Sequence, residues 1–204
     1  MSNSLRLIGI TGGISMGKTT VSTYLAAQKL PVLDADLIAR DAVEPGSPIL
    51  SRIADRYGSK LLRIDGTLDR AKLAEIIFSN ATERAWVEQQ IHPAVRERLQ
   101  IECDRLSKFH RTIVLVIPLL FEANMTDLVT EIWVVYCPEL QQIQRLMQRE
   151  KLDLEQARSR IQSQMPIQQK LDQASVILDN STTLESLVQQ IDLALSYRLS
   201  HDRQ

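Results

Sequence analysis

The sequence predicts an α/β fold: a five-stranded parallel sheet flanked by helices, with an inserted helical subdomain and a helical lid. Three observations lead there. Short apolar, β-branched runs alternate with longer stretches of helical periodicity, the pattern of a parallel sheet covered by helices. A Gly-rich loop joins the first run to the first helical stretch. Residues 35–111, between the second and third runs, are far more chain than one crossover helix needs.

Taken in order, Leu5–Ile10 reads as the first strand and Gly17–Gln28 as the helix after it. Pro31–Asp34 is the second strand. The long segment that follows carries helical patterns at Ala35–Ala42, Pro48–Tyr57, Arg70–Phe78 and Thr82–Lys108. Turn signals at Glu44-Pro45-Gly46-Ser47-Pro48 and Ile64-Asp65-Gly66-Thr67 separate them. His92 precedes Pro93 and is therefore biased away from α geometry, so a helix break or turn is expected at that point. Thr112–Ile117, Glu131–Tyr136 and Ser175–Leu178 complete the strands, with helices over Pro138–Glu150, Leu154–Met165 and Thr183–Leu199. In the last helix Leu184, Leu187, Val188, Ile191, Leu195 and Leu199 recur at helical spacing and are expected to pack on the core. The segment between strands four and five leaves room for a mobile flap.

Composition narrows the function classes. The 204 residues hold 24 Lys+Arg against 25 Asp+Glu, a net charge of −1, so bulk binding to nucleic acid or anionic membrane is not expected. Aromatic residues make up 4%, too few for a base-stacking surface. The longest apolar run, Ile113 to Phe121, is less than half of the roughly 20 residues a membrane helix needs. Residues 1–4 lack the basic-then-apolar layout of a secretory signal. Cys103 and Cys137 read as idle thiols in a reducing compartment, and a cytoplasmic location follows as the expectation.

The loop after the first strand, Gly12-Gly13-Ile14-Ser15-Met16-Gly17-Lys18-Thr19, matches Gly-x-x-x-x-Gly-Lys-Ser/Thr in full. Glycines let successive backbone N–H groups turn inward around a phosphate, and the helix that follows adds the partial positive charge of its N-terminus. Lys18 reaches toward β- and γ-phosphates, and the Thr19 hydroxyl is a ligand for Mg²⁺. Two absences then select among phosphate-loop proteins. The run Ile113–Ile117 ends in Pro118 without the acidic residue a motor ATPase would place there, and no Asn-Lys-x-Asp for guanine occurs. Both favour a small-molecule kinase over a motor or a switch. Such an enzyme needs an acceptor subdomain and a lid, and the chain has room for each.

The second strand ends in Asp34-Ala35-Asp36, with Arg40 one turn further on. C-terminal ends of parallel strands share the crevice of the phosphate loop, which is read here as lying on the neighbouring strand. Asp36 can accept a proton from an attacking hydroxyl, help to place Mg²⁺, or both, while Asp34 caps the next helix or supports the metal.

With these residues in view, the chain resembles the dephospho-coenzyme A kinases. The matching segments are Thr11-Gly12-Gly13-Ile14 with Gly17-Lys18-Thr19, Asp34-Ala35-Asp36 with Ile38-Ala39-Arg40, Pro45-Gly46, and Asp65-Gly66-Thr67-Leu68 with Arg70. Ile91-His92-Pro93, Pro118-Leu119-Leu120-Phe121-Glu122, Gln144-Arg145-Leu146 with Arg149, Arg160-Ile161 with Gln164, and Asp179-Asn180 follow. The resemblance implies a P-loop kinase core at about 1–34, 109–148 and 170–204, an acceptor-binding insertion at about 35–108 and a lid at about 149–169. It implies transfer of the ATP γ-phosphate to the ribose 3′-hydroxyl of dephospho-coenzyme A, with Mg²⁺; another small hydroxyl acceptor such as a nucleoside is the alternative. It also implies Asp36 as general base, Lys18 and Arg149 as catalytic cations, and ATP contacts at Gly13, Ser15, Met16, Gly17, Lys18, Thr19, Thr20 and Asn180. Acceptor contacts are implied at Asp36, Arg40, His92 and Glu122. For Arg149 a solvated helix face remains the other reading, for Glu122 a surface or capping role, and for Asn180 a turn. Ser15-Met16 stands where the family usually has Gly-Ser, so position 15 must hold a conformation that a non-glycine residue tolerates.

Overall fold

The structure, a computed structural model, describes residues 5–201. The side chains of Phe78, Ser79 and residues 198–201 lie outside the description, and with them Leu199 of the helical stripe. Five strands form one parallel sheet in the order β2-β3-β1-β4-β5: β1 Arg6–Gly12, β2 Val32–Asp34, β3 Thr112–Val116, β4 Glu131–Tyr136 and β5 Val176–Asp179. The chain comprises two compact units, one made of residues up to Asp34 and from Cys103 onward, the other Ala35–Glu102.

One expectation is corrected by this order. β2 does not neighbour β1; the chain returns from the long insertion to lay β3 between them. Asp34 pairs with Val116, which pairs with Ile10, so two interstrand spacings separate the ends of β2 and β1. That is about 10 Å across the sheet. Ile113 to Val116 on β3 are buried, which is why this apolar run takes an interior place between β2 and β1.

In the first unit, helix α1 (Lys18–Ala27) and helix α9 (Leu184–His201) cover one face of the sheet. Ile8, Ile10, Val114, Val116, Trp133, Val135 and Leu178 point into that layer and meet Val21, Leu25, Leu187 and Ile191. Alternate strand residues therefore build the core, as the period of two requires. Leu184 departs from the expected stripe and is exposed, since it opens α9 before the helix reaches the sheet.

Helices α6 (Glu139–Glu150), α7 (Leu154–Gln162) and α8 (Ile167–Leu171) fill the stretch between β4 and β5. Asp153 caps α7 through a full capping box with Gln156. The expected single helix to Met165 stops at Gln162, and Pro166 opens a separate short one. A proline has no N–H to continue the ladder but is suited to a helix start.

The second unit holds helix α2 (Ala35–Asp41), helix α3 (Pro48–Tyr57), helix α4 (Arg70–Ser79) and most of helix α5 (Ala81–Ser107). It has a core of its own: Val43, Ile49, Leu50, Ile53, Leu61, Leu68, Leu73 and Val87. Ser47 caps α3 by accepting from the Leu50 N–H, with Pro48 as the first helical residue. Here a second expectation fails. His92-Pro93 does not break the helix; α5 runs through it without interruption. Burial of Val87, Val95 and Leu99 on either side outweighs the ~3 kcal/mol an interior proline costs.

Candidate active site

The loop between β1 and α1 forms a cradle whose backbone the sequence dictates at two positions. Gly12 has φ 145°, and a Cβ there would lie 2.4 Å from the Val135 carbonyl oxygen on the adjacent strand. Gly17 has φ 105°, and its Cβ would sit 2.0 Å from Asn180 Nδ2. Ser15 adopts φ 59°, the left-handed region open to a polar non-glycine residue, so the Gly-to-Ser departure at this position is accommodated.

No side chain caps α1 and no acidic residue stands in its first turn. No side chain therefore competes with an anion for the positive end of α1. Lys18 Nζ donates to the carbonyls of Gly12 and Gly13, both at 2.9 Å, arching the side chain back over the loop. Thr19 and Thr20 are exposed in the first turn. Met16 buries its side chain in the core, so it can offer a ligand only main-chain groups. The Ser15 hydroxyl is buried without a hydrogen-bond partner, a polar group in the cradle still to be satisfied.

Asn180, just after β5, is brought to this loop. Its Nδ2 donates to the Met16 carbonyl at 2.9 Å, and its own carbonyl accepts from Arg145 Nη2 at 3.0 Å. Gln141 Nε2 holds the next residue by donating to the Ser181 carbonyl. The loop that follows β5 is thus tied to both the cradle and α6.

Glu122 is drawn into a different arrangement. Its Oε1 accepts from the Met165 N–H at 3.1 Å and lies 2.8 Å from Lys170 Nζ, while Oε2 is buried without a partner. Lys170 is fully buried and also donates to the Pro118 carbonyl, which the Thr11 hydroxyl reaches as well. Arg149, in the last turn of α6, is half exposed and pairs with Glu150, which also pairs with Arg160. Asp36, Arg40 and His92 belong to the second unit: Asp36 stands in the first turn of α2, the Arg40 carbonyl accepts from Arg70 Nη2 at 3.1 Å, and His92 lies within α5.

Sequence reasoning assigned no role to Lys170 or Gln142. A buried lysine and a 3%-exposed glutamine carry no signature in one sequence, because ordinary surface residues look the same. Cys103 and Cys137 are free and buried, and burial raises the Cys137 thiol. Cys137 lines a cavity of about 430 Å³ together with Gly13, Met16, Gln142, Ile161 and Met165.

Comparison with known proteins agrees with this geometry. The profile of the dephospho-CoA kinase family matches residues 6–186. The chain belongs to the dephospho-CoA kinase family. A dephospho-CoA kinase of Trichormus variabilis is 57% identical over 95% of this chain and 98% of its own length. Among solved structures, a Thermus thermophilus protein superposes with TM-score 0.80 at 33% identity, covering 95% of this chain and 98% of that one. The dephospho-CoA kinase of Campylobacter jejuni does so with TM-score 0.72 at 28% identity, over 97% and 98%. The match covers residues of both compact units and the helices between β4 and β5. No helix among the described residues is long and apolar enough to cross a membrane.

Proposed function

We propose that this chain transfers the γ-phosphoryl group of ATP to the ribose 3′-hydroxyl of dephospho-coenzyme A, giving coenzyme A and ADP. The observation that carries the proposal is the formed phosphate cradle at the C-terminal end of β1, with Lys18 arched over it, in a chain of the dephospho-CoA kinase family.

The cradle amides and the N-terminus of α1 bind the β- and γ-phosphates, and Lys18 exchanges its carbonyl partners for phosphate oxygens. Phosphoryl transfer spreads negative charge over the equatorial oxygens, so positioned cations lower its barrier. Arg149 supplies such a cation from the lid. Asp36 lies two residues beyond the end of β2 and accepts the proton of the 3′-hydroxyl as it attacks. Arg40, His92 and Glu122 bind the acceptor; the Glu122 oxygen left is Oε2, since Oε1 is committed to Lys170 and Met165. Asn180 fixes the loop against which the adenine rests.

The residues fit Mg²⁺. Among the described residues no group of three His, Cys, Asp or Glu forms a metal cage, and Mg²⁺ on a nucleotide needs none, since phosphates and waters fill most of its shell. The exposed Thr19 hydroxyl, with support from Asp34 or Asp36, would hold it. When bound, the ion would neutralise charge on the phosphates during transfer.

The test is ADP release measured with dephospho-coenzyme A and, side by side, with nucleosides at equal concentration. Turnover dependent on dephospho-coenzyme A is expected; turnover on nucleosides alone would refute the acceptor. Lys18→Ala should abolish turnover, and Asp36→Asn should lower kcat by roughly 10²–10⁴, the range for a lost general base. An Asp36→Asn enzyme within a few-fold of wild type would remove Asp36 from that role.

A further inference from the structure

Ile14, inside the phosphate loop, is gripped on three sides by the lid and by the helix that leads into it. Its N–H donates to Gln164 Oε1 at 2.8 Å, and its carbonyl accepts from Gln142 Nε2 at 2.9 Å. Its side chain packs on the apolar cluster of Ile143, Leu146 and Ala157, beside Leu152 and Ile161. Gln142 stands on α6, the helix that ends in Arg149; Gln164 follows α7, which carries Arg158 and Arg160. The next residue, Met165, donates its N–H to Glu122, so the segment Gln164-Met165 is fastened to the cradle at one residue and to the Lys170–Glu122 pair at the next. A residue of the cradle is thus packed into the hydrophobic cluster that joins α6 to the lid helix α7.

We infer that Ile14 is the joint through which bound phosphates position the lid, with Gln142 and Gln164 as positioning residues for the lid arginines. The inference rests on the phosphoryl-transfer reading above. Phosphates that draw on the loop amides favour one setting of the peptides flanking Ile14. Both of those peptides are bonded to elements that carry the arginines, so a setting chosen by the nucleotide is passed on to them. Ser15, held at φ 59° with an unpartnered hydroxyl, is the next residue in the loop and the one such a change would satisfy. Neither glutamine needs to touch the nucleotide to act.

The experiment uses the intact enzyme, Mg²⁺ and a non-hydrolysable ATP analogue, with trypsin as the probe of the lid sites Arg149, Lys151, Arg158 and Arg160. In wild type, saturating analogue should slow lid cleavage about tenfold, because cleavage follows the open population. In Gln164→Met, and separately in Ile14→Ala, that protection should fall below about threefold and analogue affinity should weaken by the matching factor of about three- to tenfold, since coupling is reciprocal, with both variants still folded at the assay temperature by their melting curves. In turnover with dephospho-coenzyme A, kcat should fall roughly ten- to a hundredfold, more than the rise in KM for ATP of about three- to tenfold that lost coupling alone accounts for, the mark of misplaced lid groups. Gln164→Glu, which keeps an acceptor oxygen for the Ile14 N–H, should recover part of the protection. Variants protected as fully as wild type would overturn the inference, as would a wild-type lid insensitive to analogue that is demonstrably bound. A wild-type lid that is protected, in an enzyme that phosphorylates no dephospho-coenzyme A, would support the joint and refute the proposed reaction. Failure to bind the analogue at all would overturn both.

Discussion

Gly17 and Asn180 form a pair whose coupling follows from two distances. Gly17→Ala brings two costs. At φ 105° a side chain is strained by about 1–2 kcal/mol. The new Cβ also claims the place of Asn180 Nδ2, 2.0 Å away, and so breaks its bond to the Met16 carbonyl, worth about 1 kcal/mol. The sum is about 2–3 kcal/mol, and at this chain length each kcal/mol moves Tm by about 2–4 °C. Asn180→Ala alone loses only the hydrogen bond, about 1 kcal/mol. In the double variant the alanine Cβ at position 17 stands 3.9 Å from the Cβ at position 180, an ordinary contact. The hydrogen bond is then counted once, and the double variant should be about 1 kcal/mol more stable than the sum of the singles. Urea unfolding of the four proteins measures this cycle. Additivity within about 0.3 kcal/mol would show that Gly17 does not make room for the amide, and the account of the cradle would fail with it.

Other outcomes follow from the same reasoning. Lys170→Met removes one partner of the buried pair; because Glu122 keeps 23% of its side chain exposed, the loss should be about 2–3 kcal/mol in urea, below that of a fully buried pair. In the second unit the Arg56 guanidinium, and after it the Tyr57 hydroxyl, hold Glu83 down to about 2, while burial first and Glu83 second push Tyr57 up to about 12. Glu83 titrates lower folded than unfolded, so its contribution is complete above its ordinary value of 4.5 and is lost as pH falls toward 2. Urea midpoints measured through that window should drop less steeply in Glu83→Gln than in wild type. Pro93→Ala, at an exposed position inside α5, should raise stability by about 1–3 kcal/mol in thermal melts. A fall in Tm would mean that the proline ring packs in a way its exposure does not suggest.

Much of this protein could be read locally. The order of strands and helices follows from apolar periodicity, and the cradle from the spacing of Gly12, Gly17 and Lys18, although the close approaches that leave no room for a Cβ come from the distant Val135 and Asn180. The Ser47 cap and the close of α7 before Pro166 obey local rules too, although periodicity alone carries that helix three residues further, to Met165. His92-Pro93 shows the limit. Local preference argues for a break, yet α5 continues because burial along its flanks decides.

By itself, then, the sequence determined the alternation of elements, the anion-binding turn and the family, since each rests on short-range geometry or on ordered motifs. Tertiary structure alone decided that β3 separates β2 from β1, that Lys170 meets Glu122 across 48 residues' worth of chain numbering (122 to 170), and that Ile14 is shared between cradle and lid. Those contacts join residues far apart in the chain. Nothing in a single sequence encodes which distant partner completes a buried polar group; that is settled only when the core closes and every donor must find an acceptor.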